Sequence, residues 1–187
     1  MFINTTDFFE EEIILDLIRK GDPKAFEQLF RLYYSELCSY LRTLIRERGV
    51  IEEIVQGLFV HIWENRTNFS PQGSVKSYLY KSVRNRAINH YKHSAVKLNS
   101  IEELKLIYSS QINDVEKQYD SQEINQLITN SVTMLPEKCR EIFTLIKFNG
   151  LTYRETAEML NISIKTVETQ MGRALKKLKE SLLIYFN

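Results

Sequence analysis

A chain of 187 residues is long enough for one ordinary domain or two small ones. Its hydrophobic fraction of 43% supports a packed core, and six glycines with three prolines argue against a turn-rich all-β fold. A formal charge of +1 excludes a chain that is polycationic or polyanionic throughout, so any nucleic-acid surface has to come from local segregation of charge.

Such segregation is visible. Asp7, Glu10, Glu11, Glu12 and Asp16 make the start acidic, whereas no acidic residue occurs from Asn65 to Ile101, where Arg66, Lys76, Lys81, Arg84, Arg86, Lys92 and Lys97 accumulate. That pattern suits contact with DNA on some faces and with protein on others. The opening MFINTTDFFEEE lacks the basic n-region of a secretory signal. No apolar run approaches the ~20 residues that span a bilayer, so no membrane insertion is expected. Cys38 and Cys139 have no ligand-spaced partner, which predicts two reduced, semi-buried thiols and fits a cytoplasmic location.

In chain order, a first helix is predicted from about Phe8 to Arg19, ending at Gly21. Asp22 is placed to cap the next helix, with Pro23 at its first position, and Phe26, Leu29, Phe30, Tyr33, Leu37, Tyr40, Leu41 and Leu44 keep helical period. A break is expected at Gly49, before a helix with Ile54, Leu58 and Ile62 on one row and Val55 and Phe59 on the adjoining one. "NFSPQGS" has loop composition, and the helix after it turns Tyr78, Leu79, Val83, Ala87 and Ile88 inward. From about Ser94 to Asp120 regularity is lost apart from a short apolar patch at Leu104 to Tyr108, and a linker is expected. Helices are then predicted over Ile124 to Met134, from Pro136 to near Gly150 with Ile142, Phe143 and Ile146 buried, and from Thr152 to Asn161. Thr-Tyr-Arg-Glu at Thr152 reads as a capping box.

The last predicted helix lies in "NISIKTVETQMGRALKKLK". Ile164, Val167, Met171, Leu175 and Leu178 recur on its apolar side, with Ser163 as the expected N-cap. Short helix, turn at Asn161 to Ser163 and second helix make the layout of a helix-turn-helix, with Ala157, Leu160, Ile162 and Val167 as its seam. In that motif the start of the second helix meets base edges in the major groove. Lys165, Thr166, Glu168 and Thr169 supply compact donors and acceptors there: lysine suits guanine, and glutamate suits the cytosine amino group. Arg173, Lys176 and Lys177 come later, where the helix would pass phosphates that set affinity more than sequence choice. Gly172 weakens a helix by up to ~1 kcal/mol relative to alanine and suggests close approach to another backbone.

Residues Lys76 to Lys97 interleave Tyr78, Tyr80 and Tyr91 with Lys81, Arg84, Arg86 and Lys92, and with Asn85 and Asn89. Cations along a phosphate path with aromatic faces for bases suit single-stranded nucleic acid. The loop before them, with Phe69 and Ser70-Pro71-Gln72-Gly73, is a candidate clasp for an extruded base.

Four segments in this order, "DPKAFEQLFRLYYSELCSYLR", "EEIVQGLFVHIWENR", "SVKSYLYKSVRNRAINHYKH" and "LPEKCREIFTLIKFNGLTYRETAEMLNISIKTVETQMGRALKKLK", resemble the extracytoplasmic-function sigma factors of the sigma-70 family. The resemblance implies an all-α protein of two small helical domains joined by a flexible linker. The N-terminal domain, over 8–95, would bind core RNA polymerase and the −10 element; 96–121 would be the linker; 122–184 would be the helix-turn-helix domain on the −35 element. It implies polymerase contact through Glu53, Gln56 and Phe59. It implies capture of the melted −10 strand by Phe69, Tyr78, Lys81, Arg84 and Asn85, and −35 reading by Lys165, Thr166, Glu168, Thr169, Arg173 and Lys176. It also implies an anti-sigma factor as partner, and neither a cofactor nor catalysis. Two positions depart from the family pattern. Gln56-Gly57 stands where Gln-Glu is common, and Tyr78 stands where tryptophan is common, which reduces stacking area.

Promoter elements about one and a half helical turns apart are separated by ~50 Å. A coil of about 25 residues averages ~25–30 Å and extends to ~80–90 Å, so both domains can reach if the linker is stretched. Two other classes stand beside this reading. A ligand- or phosphorylation-switched regulator would also carry a C-terminal helix-turn-helix, but no alternating strand pattern points to a phosphoacceptor domain. An enzyme would need more than His90 and His93 at i, i+3 spacing, for which no third metal ligand is evident.

Overall fold

A computed structural model describes residues 5–98 and 130–183. Most of the expected linker, the apolar patch at Leu104 to Tyr108 and the start of the helix expected at Ile124 lie outside the described residues, as do the side chains of Lys92, His93 and Lys97. Every regular element among the described residues is helical: α1 (Thr5–Arg19), α2 (Pro23–Leu41), α3 (Arg48–Glu64), a 3₁₀ turn (Arg66–Asn68), α4 (Val75–Leu98), α5 (Glu137–Phe143) continued by a π-helical turn (Thr144–Phe148), α6 (Tyr153–Leu160) and α7 (Ile164–Leu183). Residues 130–133 form the last turn of a further helix. Backbone packing divides the chain into two units between His90 and Tyr91.

In the first unit local chemistry sets the helix ends. The Asp22 carboxylate accepts from the backbone N–H groups of Lys24 (2.8 Å) and Ala25 (3.2 Å), and Pro23 occupies the position where no N–H is needed. Gly21 takes φ +84°, closing α1 in the left-handed region that glycine enters without strain. The break after α2 falls over residues 42–47, and Gly49 sits inside the first turn of α3 rather than marking the break. The core between α2 and α3 is aromatic. Phe59 meets Phe30 edge-on at 4.8 Å and Phe26 at 6.2 Å, while Trp63 lies 4.9 Å from Phe26. The buried Phe59 ring contributes about 1.5–3 kcal/mol, and the half-buried Phe26, Phe30 and Trp63 rings less, with a further increment from edge-to-face geometry. From α4, Leu79, Tyr80 and Val83 are fully buried.

The second unit has two apolar clusters. Val132, Leu135, Cys139 and Phe143 pack on Met171, Ala174 and Leu178, while Ile142 and Ala157 pack on Val167. The buried stripe of α7 therefore runs Val167, Met171, Ala174, Leu178. Ile164 and Leu175, expected inside, are 46% and 48% exposed, because the small Ala174 rather than Leu175 faces α5. Both cysteines are free and buried. A Cβ built on Gly172 meets nothing within 4 Å, so close approach to another part of this chain does not account for that glycine.

Candidate nucleic-acid interface

The helix-turn-helix is assembled by caps at each corner. Thr152 Oγ1 accepts from the Glu155 N–H (3.2 Å), while Glu155 Oε2 accepts from the Thr152 N–H (2.8 Å), completing the capping box at the start of α6. Asn161 ends α6 at φ 55°, ψ 48°, the one non-glycine residue with positive φ among the described residues, and the Ile162 N–H donates to Ala157 O at 3.0 Å. Asparagine is among the few non-glycine types that tolerate this conformation. Ser163 Oγ then accepts from the Thr166 N–H (3.0 Å) and starts α7. Ala157 is 3% exposed and Val167 is fully buried, so α6 and α7 cross on small and β-branched side chains and α7 is held with its polar face outward.

On that face Lys165, Thr166, Glu168, Thr169, Arg173, Lys176 and Lys177 are all exposed. They are not equally available. The Thr166 hydroxyl lies 2.8 Å from that of Ser163, and the Thr169 hydroxyl donates to Lys165 O at 2.8 Å. Both hydroxyls are partly committed to the helix start. The Lys165 and Glu168 side chains make no hydrogen bond or ion pair among the described residues. The face is steadied from behind by Cys139, whose thiol donates to Gln170 Oε1 at 3.0 Å. Gly172 lies one turn beyond Glu168 on the same stripe, exposed and without neighbours.

In the first unit Lys81 and Asn85 are exposed one turn apart on α4, with Tyr78 half-buried one turn earlier and Arg84 half-buried beside them. Ser70, Gln72 and Gly73 form an exposed crest in the loop that precedes α4. Three expected contacts are corrected by burial. Phe69 is 6% exposed and packs edge-on against Tyr78 (5.3 Å), so its ring is part of the fold and not a free base clasp. Tyr80 is fully buried against Tyr40, its hydroxyl donating to Glu36 Oε2 at 3.3 Å, and so drops out of the aromatic strip. Phe59 is 2% exposed in the α2–α3 core, which leaves Glu53 and Gln56 as the exposed pair on α3. Gln56 donates to the Tyr34 hydroxyl at 3.5 Å; burial, opposed by that hydrogen bond, pushes the Tyr34 hydroxyl up.

One exposed residue of this surface is not singled out by the sequence reading. Val60 lies one turn beyond Gln56 and is 55% exposed. Its position off both apolar rows of α3 is the signal that marks it. Among the described residues no group of three or more His, Cys, Asp or Glu side chains is placed to hold a metal, and no helix is long and apolar enough to cross a membrane.

Two family models match the chain in order: sigma-70 region 2 over residues 29–95 and sigma-70 region 4 over residues 125–178. The chain belongs to the sigma-70 family. Within it, this sigma factor is of the extracytoplasmic-function type and acts with RNA polymerase in transcription initiation. It is similar to the RNA polymerase sigma factor SigZ of Bacillus subtilis, at 26% identity over 83% of this chain and 86% of that protein. It is likewise similar to the ECF RNA polymerase sigma-E factor of Escherichia coli, at 23% identity over 88% of this chain and 90% of that one. Its fold is shared with the sigma factor RpoE solved in complex with the anti-sigma factor NepR from Bartonella quintana. That likeness has a TM-score of 0.64 and 22% identity, covering 86% of this chain and 98% of that one. CnrH, solved with the cytosolic domain of CnrY, is similar at a TM-score of 0.60 and 23% identity, covering 92% and 96%. The region 2 match takes in most of α2, all of α3 and most of α4, and the region 4 match takes in α5, α6 and most of α7. α1 lies ahead of both.

Proposed function

We propose that this sigma factor divides its work between the two units. The domain over 8–95 binds core polymerase through the α3 stripe of Glu53, Gln56 and Val60. It holds the melted −10 strand with the loop before α4, Tyr78, Lys81, Arg84 and Asn85. The domain over 122–184 reads the −35 duplex with Lys165, Thr166, Glu168 and Thr169, and grips its phosphates with Arg173 and Lys176. Residues 96–121 link the two and set their effective concentration on one promoter. The factor has no catalysis and no cofactor of its own: it supplies binding energy and base choice, while polymerase supplies the chemistry. It works in the cytoplasm, beside the polymerase.

The observation that carries this reading is the presence, in one chain and in order, of the region 2 and region 4 matches, with an exposed graded polar face on α7. A ligand- or phosphorylation-switched regulator would explain α6 and α7 but not the region 2 match. The similar structures are complexes, one with the anti-sigma factor NepR and one with the cytosolic domain of CnrY. By analogy, an anti-sigma factor covers the polymerase-facing or DNA-facing surfaces of this chain until a signal releases it. Run-off transcription tests the whole proposal: core polymerase with this protein should start discrete transcripts from a randomised promoter pool, and core alone should not. A protein that only modulates transcripts made by another initiation factor would overturn it.

A further inference from the structure

The acidic first helix, which neither family match reaches, touches the loop before α4 at both of its ends. At the start of the loop, Arg19 Nε donates to the carbonyl oxygen of Phe69 at 2.9 Å, and Glu12 Oε1 accepts from the same guanidinium at 3.0 Å. At its end, Glu11 Oε1 accepts from the Val75 N–H at 2.7 Å. Glu11 and Arg19 are eight residues apart, about 12 Å along the helix axis. Between the two tethers the crest Ser70, Gln72 and Gly73 stays exposed, with Gly73 at φ +84°.

These contacts are strong ones for their type. A carboxylate accepting the first N–H of a helix combines a charge-assisted hydrogen bond with a favourable position at the positive end of the helix dipole. Val75 is 2% exposed, so its N–H has little water to turn to if Glu11 is lost. Ser74 Oγ accepts from the Ser77 N–H at 3.2 Å, which caps α4 further in and leaves the Val75 N–H to Glu11.

We propose that α1 is a clasp that fixes the curvature of the 70–74 loop, with Arg19 and Glu11 as positioning residues for capture of the melted −10 base. The proposal rests on the reading that this loop meets the melted strand. It gives part of the acidic start of the chain a role that its charge alone would not suggest: Glu11 accepts from a backbone amide, the exposed Glu12 steadies the Arg19 guanidinium, and together they pre-organise a loop whose ordering would otherwise oppose promoter melting.

The test uses holoenzyme reconstituted with core polymerase and a promoter carrying a fluorescent base analogue in the −10 element. Glu11→Ala should slow opening about tenfold, the loss expected for one hydrogen bond to a charged group, and should broaden base preference at the captured position. Core affinity and −35 duplex affinity should stay within about twofold, since neither surface is touched. Glu11→Gln, whose amide oxygen can accept the same N–H, should restore most of the rate and preference. A control replaces residues 70–73 by a glycine-serine stretch. If that replacement abolishes opening while Glu11→Ala and Arg19→Ala open with unchanged rate and base preference, the clasp is overturned and the loop reading stands. If the replacement itself opens normally, the loop reading falls and the clasp with it. Amide hydrogen exchange on the unmutated protein decides the point without relying on a variant that folds: the Val75 N–H should be protected well beyond Gln72 and Gly73, and equal exchange would overturn the clasp.

Discussion

On the outer face of α7, the Lys165 and Glu168 side chains carry no internal hydrogen bond among the described residues, whereas the hydroxyls of Thr166 and Thr169 are partly engaged with Ser163 and the helix backbone. Under the proposed reading Lys165 and Glu168 should contribute most to base choice. Glu168→Ala should therefore change preference at one −35 base pair by about 1–3 kcal/mol. Lys176→Ala should weaken every duplex alike and lower the salt slope of binding by about 1. Competition binding with singly substituted duplexes at two salt concentrations separates the two outcomes. Gly172 makes a different prediction. With open space around its missing side chain, Gly172→Ala should raise stability by about 1 kcal/mol, measured by chemical unfolding. A matching loss of duplex affinity would mean that the bound DNA is what requires the glycine.

For the α6–α7 pair, the angle between the two helices depends on three residues. Asn161 supplies the left-handed turn, Ser163 caps the start of α7, and Ala157 allows the close crossing. Asn161→Ala should destabilise the pair by about 1 kcal/mol, since a Cβ without a compensating polar group is strained at φ 55°, whereas Asn161→Gly should be tolerated. Amide exchange confined to α6 and α7 in the full chain measures this without interference from the first unit. The capping box at Thr152 should make the start of α6 the slower end of that helix to open.

For the whole molecule, affinity for a promoter is expected to come from linkage more than from either unit. Under the proposed reading each half would offer a modest, exposed, salt-sensitive surface, and joining two such surfaces should raise avidity by about 10² or more without new contacts. Introducing a protease site within residues 99–121 tests this. Cleavage of the free protein should lower promoter affinity at least about a hundredfold, while the N-terminal piece still binds core polymerase. Equal affinity before and after cleavage would mean that one unit carries promoter binding alone.

Periodicity and capping residues are local properties, and they are enough to predict the described helices to within a few residues, the helix-turn-helix and the graded face of its second helix; glycine placement alone is not, since Gly49 lies inside α3. Asp22, Thr152, Glu155 and Ser163 act within three residues of their own positions, which is why their roles are legible in the chain. What the linear pattern cannot decide is which of two adjoining apolar rows a neighbouring helix will cover. Phe59, Phe69 and Tyr80 could each face a partner or the core, and only packing against Phe30, Tyr78 and Tyr40 commits them inward. The same limit hides the tethers from α1 to the loop before α4: Arg19 to Phe69 and Glu11 to Val75 join residues 50 and 64 positions apart. A hydrogen bond between such distant residues leaves no periodic trace, because it exists only once the helices between them have folded and brought the two ends together.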